Sequence, residues 1–593
     1  MTDPSAVERP LPSGANAPAF GSDVVAETLR ALDIPYIALN PGASYRGLHD
    51  SIVNYLGNTR PQMLLCLHEE SAVAIAHGYA KVTGRAMAAA VHSNVGLMHA
   101  TMAIFNAWCD RLPVIVLGAT GPVDAMKRRP WIDWIHTARD QGALVRPYTK
   151  WDDQPASPGA AREALMRAYW LAHAAPMGPV YVNLDAEMQE AKLPEQLTPL
   201  DAARFTPPVT SAAPGDVLAQ AAAMLQAAKA PVILVGRASR DLTAWNARVA
   251  LAEALDARAI TCLKTAAGFP TDHPLHAGPP SVIAPVGNAA AAIKAADVIL
   301  SLDWIDLAGT LRSVFGTEAP GAKIIQVSID HHVHNGWSMD HQALPPVDLF
   351  IAADPDPVVP ALVAQMRATA KPRIVRDQAV AEKPLPDAPL TVEHLARALR
   401  GAVGERLCAL THLPLSWNGA WWPFRHPLDF LGSDGGGGLG AGPGVTVGAA
   451  LALKGTGRLP IGICGDGDFL MGVTALWTAT HYRIPLLIVV ANNRSFYNDE
   501  VHQERVARMR GRPVENKWIG QRIADPDIDV AALARAQGAL GFGPVEDASK
   551  LAGTFAEAIA AVENGAVAVV DVRVEPGYTP AMTAAVSNAE RKA

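Results

Sequence analysis

Short apolar runs alternate with longer helix-like stretches along most of this chain. The runs at 35–39, 86–91, 113–117, 231–235, 297–300, 323–327, 460–464 and 485–490 are rich in Val, Ile, Leu and Ala. They are flanked by Pro, Gly, Asn or Asp, so they read as strands. Helix-length segments lie between them, among them 71–83 behind Glu69, and 470–482. Strands and helices that alternate in this way predict parallel sheets covered by helices.

Two stretches interrupt the alternation. Residues 192–210 are rich in proline and polar side chains, and residues 370–389 mix proline with charge. Read as linkers, they divide the chain into three doubly wound α/β domains at 20–191, 211–369 and 390–577. Residues 1–19 are Pro-, Ser- and Ala-rich with no basic segment leading into an apolar core. They are expected to be a frayed tail rather than a signal peptide. Residues 578–593 are expected to form a C-terminal tail or lid. The middle domain looks Rossmann-like but lacks a dinucleotide fingerprint.

Composition narrows the function class. The chain has 593 residues, half of them hydrophobic and 18% charged, with a net charge of −7. That balance permits large cores and gives no electrostatic case for nucleic acid. No apolar run approaches membrane-spanning length. Cys66, Cys109, Cys262, Cys408 and Cys464 are scattered singly, which suggests neither a disulfide framework nor a zinc site. A reducing cytoplasm is the simplest expectation.

The chemistry concentrates at the carboxyl ends of two strands. Gly465-Asp466-Gly467 follows the run 460–464, and Asn492-Asn493 follows 485–490. A βαβ unit with polar residues at those ends is where open α/β sheets bind ligands. An aspartate beside an asparagine offers hard oxygen ligands of the kind magnesium takes together with phosphates. The glycines let backbone approach a diphosphate closely.

This GDG…NN pattern resembles the signature of thiamine diphosphate (ThDP) enzymes of the decarboxylase and acetolactate synthase superfamily. The resemblance covers nearly the whole chain. It implies pyrimidine-binding, central and diphosphate-binding domains in that order. It also implies Asp466, Asn493 and the carbonyl of Ser495 as Mg²⁺ ligands, with Gly465 and Gly467 at the cofactor. Leu67-His68-Glu69-Glu70-Ser71, running on to Gly78-Tyr79-Ala80, is similar to the family's catalytic-glutamate segment and places the essential carboxylate at Glu69. In that role a buried carboxylate hydrogen-bonds N1′ of the aminopyrimidine and promotes loss of the thiazolium C2 proton. Glu70 is its structural neighbour. The glycines 435–438 lead into Leu439, counted back from Gly448, as the family's apolar wedge beneath the cofactor.

The substrate side is less closely matched. His92-Ser93 resembles the His-Ser pair of benzoylformate decarboxylase, with a structural histidine as the alternative. Asn40-Pro41-Gly42 is followed by Ala43, with Ser44 one later, where that enzyme has serine directly after the turn. Beyond the metal motif, Asp499 and Glu500 are candidate acids or bases, with Glu500 favoured. The basic run 505–512 is a solvated face or an anion-binding one. Phe269-Pro270-Thr271-Asp272-His273-Pro274 resembles the central domain. Residues 301–306 and the segment after Asn493 depart from acetolactate synthase. Whether the central domain binds FAD, ADP or nothing stays open.

The expected activity is ThDP- and Mg²⁺-dependent carbon–carbon bond cleavage or carboligation, led by 2-oxo acid decarboxylation. A 2-hydroxyacyl-CoA lyase and an acetolactate synthase-like carboligase are the alternatives. The non-enzymatic ones are a ThDP-binding regulatory subunit and a nucleotide-binding scaffold. The resemblance further implies a homodimer or homotetramer in which the first domain of one subunit meets the third of another.

Overall fold

The computed structural model describes residues 7–14, 17–195, 197–210, 212–332, 343–366, 384–386 and 388–578. Among the described residues sixteen strands fall into three sheets. β1 (Tyr36–Leu39), β2 (Gln62–Leu65), β3 (Met87–Val91), β4 (Val114–Thr120), β5 (Asp152–Asp153) and β6 (Val180–Asp185) form the first, in the order β2-β1-β3-β4-β6-β5. β7 (Pro231–Val235), β8 (Arg258–Thr261), β9 (Val298–Leu302), β10 (Lys323–Val327) and β11 (Leu349–Ile351) form the second, ordered β11-β10-β9-β7-β8. β12 (Cys408–His412), β13 (Leu459–Gly465), β14 (Leu486–Asn492), β15 (Leu540–Val545) and β16 (Val567–Arg573) form the third, ordered β12-β13-β14-β16-β15. Strands pair in parallel throughout. The three α/β domains expected from the alternation are present. Fully buried runs such as Met87–Val91 and Leu486–Asn492 explain why these strands read as continuous apolar segments.

The first and third domains share one hydrophobic core. It runs from Ala38, Val73 and Met87 to Val447, Phe469 and Leu486. Its centre is a crossing of helices Glu69–Thr83 and Ala441–Leu453. A Cβ on Gly78 would fall 2.1 Å from the Val445 carbonyl oxygen, and one on Gly448 1.9 Å from that of Ile75. Only glycine lets these backbones approach so closely. The contact fixes both domains of a chain as one body.

Two local readings change. The helix expected over 470–482 is two short helices, Asp466–Gly472 and Ala475–His481. Gly472 is pressed against the Gly440 carbonyl and the Pro443 ring, so the first helix serves the glycine loop rather than continuing straight. The expected N-terminal tail is docked at Glu8. Its carboxylate accepts from Tyr482 Oη at 2.8 Å, and its carbonyl accepts from Asn58 Nδ2 at 3.2 Å. Most of the linker expected at 370–389, and all but Tyr578 of the expected C-terminal tail or lid at 578–593, lie outside the described residues.

Candidate active site

β13 and β14 are neighbours, so the ends that carry Asp466 and Asn493 lie together. Asp466 Oδ2 and Asn493 Oδ1 both accept from the Ser495 backbone N–H, at 3.1 and 2.9 Å. Asp466 Oδ1 accepts from Gly467 N at 3.0 Å. Asp466 is buried and has no cationic side chain beside it among the described residues, and burial pushes its carboxyl up to about 6. Oxygen donors from a carboxylate and an amide converging without a counter-charge suit a hard divalent cation. Gly467 lies in the first turn of helix Asp466–Gly472, and a Cβ there would fall 2.5 Å from the Phe496 ring, so only glycine fits beneath that ring.

These groups open onto a cavity of about 530 Å³. Its polar floor includes Asp434, Gly465, Asp466, Asn493 and Ser495, and its wall includes Leu413, Phe430 and Leu439. Leu439 is 47% exposed. The central domain contributes Leu263, Lys264, Val282 and Ile305. Glu69 is not among the lining residues.

On the cavity's polar floor lies a largely buried charge cluster that the sequence reading did not anticipate. Asp468 Oδ1 accepts from Gly440 N at 2.7 Å and Gly442 N at 3.3 Å, and Asp468 Oδ2 lies 3.1 Å from His412 Nε2. His412 Nδ1 is 3.7 Å from Asp434. Burial opposes charge on His412, but Asp468 and Asp434 outweigh it and raise the ring to about 9. The cluster fixes the backbone on both sides of Leu439's loop. The GDGD string hinted at Asp468. Nothing local pointed to His412.

In the first domain, Glu69 opens its helix, is buried, and takes a hydrogen bond from His99 Nδ1 at 3.1 Å. His68 caps that helix by accepting from Glu70 N, and its ring stacks on His99. Burial, with Asp468 of the third domain second, raises Glu70. The chain reverses across the sheet between β2 and β3, which leaves a crevice at the ends of β1 and β3. His92 sits there, and Ser44 Oγ lies 2.7 Å from its Nδ1. The serine that the turn displaces by one position therefore still reaches the histidine. His136 packs edge-on against His92 at 4.7 Å. Burial first, then His136, holds His92 below the usual imidazole range, while Glu69 acts in the opposite direction.

Glu500 is buried away from the cavity lining. Its Oε1 accepts from Ser495 Oγ at 2.6 Å, and Arg522 Nε lies 3.5 Å away. Asp499 lines the cavity. The basic run begins on helix Tyr497–Met509, where Arg508 pairs with Glu504. Between the central and first domains, a second cleft of about 500 Å³ is lined by Arg237, Arg240, Asp303 and Asp354 on one side and Lys81 and Asp110 on the other. Arg237 is committed there to Asp303 and Asp330, each at 3.4 Å.

Residues 20–144, 218–362 and 415–572 match, in turn, the N-terminal TPP binding, central and C-terminal TPP binding domains of the thiamine pyrophosphate enzymes. The chain belongs to the ThDP-dependent enzymes. It is 28% identical over 447 residues to the benzoylformate decarboxylase of Pseudomonas aeruginosa, covering 73% of this chain and 79% of that one. It is 27% identical over 499 residues to acetolactate synthase isozyme 1 large subunit of Escherichia coli, covering 82% and 83%. The crystal structure of benzoylformate decarboxylase from Polynucleobacter necessarius superposes with a TM-score of 0.79 at 22% identity, over 95% of this chain and all of that one. The 4-hydroxybenzoylformate decarboxylase of Rhodococcus jostii gives 0.76 at 23%, over 95% and 100%. This ThDP enzyme is thus of the decarboxylase and acetolactate synthase kind. Among its described residues no helix is long and apolar enough to cross a membrane.

Proposed function

We propose that this ThDP enzyme is a Mg²⁺-dependent carbon–carbon lyase that decarboxylates a 2-oxo acid other than pyruvate. The observation that carries the reading is the convergence of Asp466 and Asn493 on one backbone N–H, on the polar floor of a largely apolar cavity. Asp466, Asn493 and the Ser495 carbonyl would hold the cation and, through it, the diphosphate. Leu439 would support the rings. Bound ThDP would supply a nucleophilic carbon toward the substrate carbonyl and a cationic ring as the sink for the electron pair released with carbon dioxide.

The remaining roles belong to side chains. Glu69 holds or releases a proton at the aminopyrimidine N1′. His92, oriented by Ser44 through Nδ1, is the proposed proton-handling group on the substrate side, and its depressed basicity favours a neutral ring near pH 7. Glu500 is the second such group, and its path to the cavity runs through the Ser495 hydroxyl. Apolar walls from the central and third domains exclude water from the reacting carbon. We take the working unit to be at least a homodimer, with Glu69 of one subunit facing Asp466 of the other. We place it in the cytoplasm, in keeping with its five free cysteines.

A panel of aryl and alkyl 2-oxo acids, followed by carbon dioxide and aldehyde release, tests the reading. Pyruvate and 2-hydroxyacyl-CoA thioesters belong in the same panel, for the carboligase and lyase alternatives. Turnover of a non-pyruvate 2-oxo acid that requires both ThDP and Mg²⁺ supports it. Acetolactate from pyruvate, or thioester cleavage, as the sole activity would move the enzyme to an alternative.

A further inference from the structure

The four glycines 435–438 have a structural cause outside the cofactor site. They lie flat along helix Ser93–Asp110 of the first domain of the same chain. A Cβ on Gly435 would fall 2.3 Å from Asp110 Oδ1, on Gly436 2.7 Å from Asn106 Oδ1, and on Gly438 2.5 Å from Met102 Cγ. Gly437 has φ +69°, which L side chains rarely adopt. The run is therefore glycine because a helix from another domain presses on it at three positions and a left-handed turn occupies the fourth.

One side chain makes the directional contacts. Asn106 is fully buried, and its Oδ1 accepts from Gly436 N at 3.1 Å and from Gly438 N at 3.5 Å. The next residue is Leu439, which enters the cofactor cavity. On its far side Gly440 N is held by Asp468. Leu439 is thus suspended between two buried acceptors, one from the first domain and one from the third. Nearby, Lys81 Nζ ties Asp110 at 2.6 Å to the Ser433 carbonyl at 2.7 Å, which anchors the start of the loop on the same domain.

We propose that Asn106 is a positioning residue for Leu439: through its side-chain oxygen, the first domain of a chain sets the loop that presents Leu439 to that chain's own cofactor cavity. The inference rests on the ThDP reading for Leu439's role, but the clamp itself does not need the cofactor. Asn106 does not line the cavity itself. Removing its acceptor leaves two loop N–H groups without a partner, which loosens the loop more than it loosens the fold.

The test has a cofactor-free arm and a loaded arm. In the cofactor-free protein, Asn106→Leu is expected to speed amide exchange at Gly436 and Gly438 by about tenfold or more, with exchange in β13 and β14 unchanged. Asn106→Asp keeps an accepting oxygen and is expected to retain wild-type protection. In the loaded enzyme, Asn106→Leu is expected to slow C2 proton exchange and kcat by about tenfold with KM within about twofold. In a Leu439→Ala background it should add nothing further. If Asn106→Leu misfolds, Gly436→Ala, whose Cβ meets Asn106, replaces it with the same expectations. Unchanged loop exchange, or full additivity with Leu439→Ala, overturns the inference. Failure of the wild-type protein to bind ThDP would instead overturn the cofactor reading and leave the exchange arm standing.

Discussion

A mixture of two inactive variants tests where the site lies in the assembly. Glu69 is absent from the lining of the cavity that holds Asp466 and Asn493. The Gly78 and Gly448 contacts lock the first and third domains of one chain together, so Glu69 cannot swing into its own cavity without breaking a shared core. On the proposed reading, the glutamate of each site comes from a second copy. Glu69→Gln and Asp466→Ala are each expected to be inactive alone. In a random 1:1 mixture of dissociated chains, about half the dimers pair one variant with the other. Each such dimer has one site bearing both substitutions and one bearing neither. The mixture should then recover about a quarter of wild-type activity, read as turnover after reassembly with ThDP and Mg²⁺. No recovery, with mixed dimers demonstrated by mass spectrometry, refutes the two-chain site. Full activity of the wild-type protein as a monomer at assay dilution refutes it too.

Three further outcomes are expected. Glu69→Gln keeps shape but removes the charge, and should lower kcat by about 10²-fold or more while ThDP still binds; wild-type C2 exchange rates by deuterium NMR would remove Glu69 from the proton path. Gly467→Ala places a methyl 2.5 Å from the Phe496 ring and should weaken ThDP·Mg²⁺ binding by about tenfold or more; unchanged calorimetric affinity would show that the cradle does not need close backbone. Burial, with Arg258 next, depresses His276 to about 4, against about 6.5 for an exposed imidazole. The unfolded chain therefore takes up the proton first. Stability from this group is complete above about pH 6.5 and is lost as the pH falls towards about 4, a loss on the order of 3 kcal/mol. His276→Gln should gain on wild type by that order across the window in urea unfolding, and a constant difference between the two proteins would contradict it.

The sequence disclosed what is local and periodic. Pro231–Val235 is a strand over the expected residues because a strand buried on both faces is apolar throughout, and Lys323–Val327 keeps the expected bounds with Ile324, Ile325 and Val327 buried. Asp466 and Asn493 were readable because one βαβ unit carries both. Edge strands were not: Asp152–Asp153 has two charged residues, and Leu540–Val545 exposes much of its length. Contacts made by folding were hidden as well. Asn106 and the glycine loop meet across two domains, and His412 reaches Asp468 from a neighbouring strand. Ser44 follows its turn one position late, yet the short helical turn Ala43–Tyr45 brings its hydroxyl back to His92. Helix 470–482 was misread because its break answers to the loop packed on Gly472, which no periodicity records.

The central claim is that Asp466 and Asn493 hold ThDP through a divalent cation, and calorimetry of ThDP binding tests it most directly. Wild-type protein should bind ThDP with Mg²⁺ present and lose measurable binding in EDTA, and Asp466→Ala should show none under either condition. Equal affinity with and without EDTA, or ThDP binding by Asp466→Ala at wild-type strength, would contradict the account.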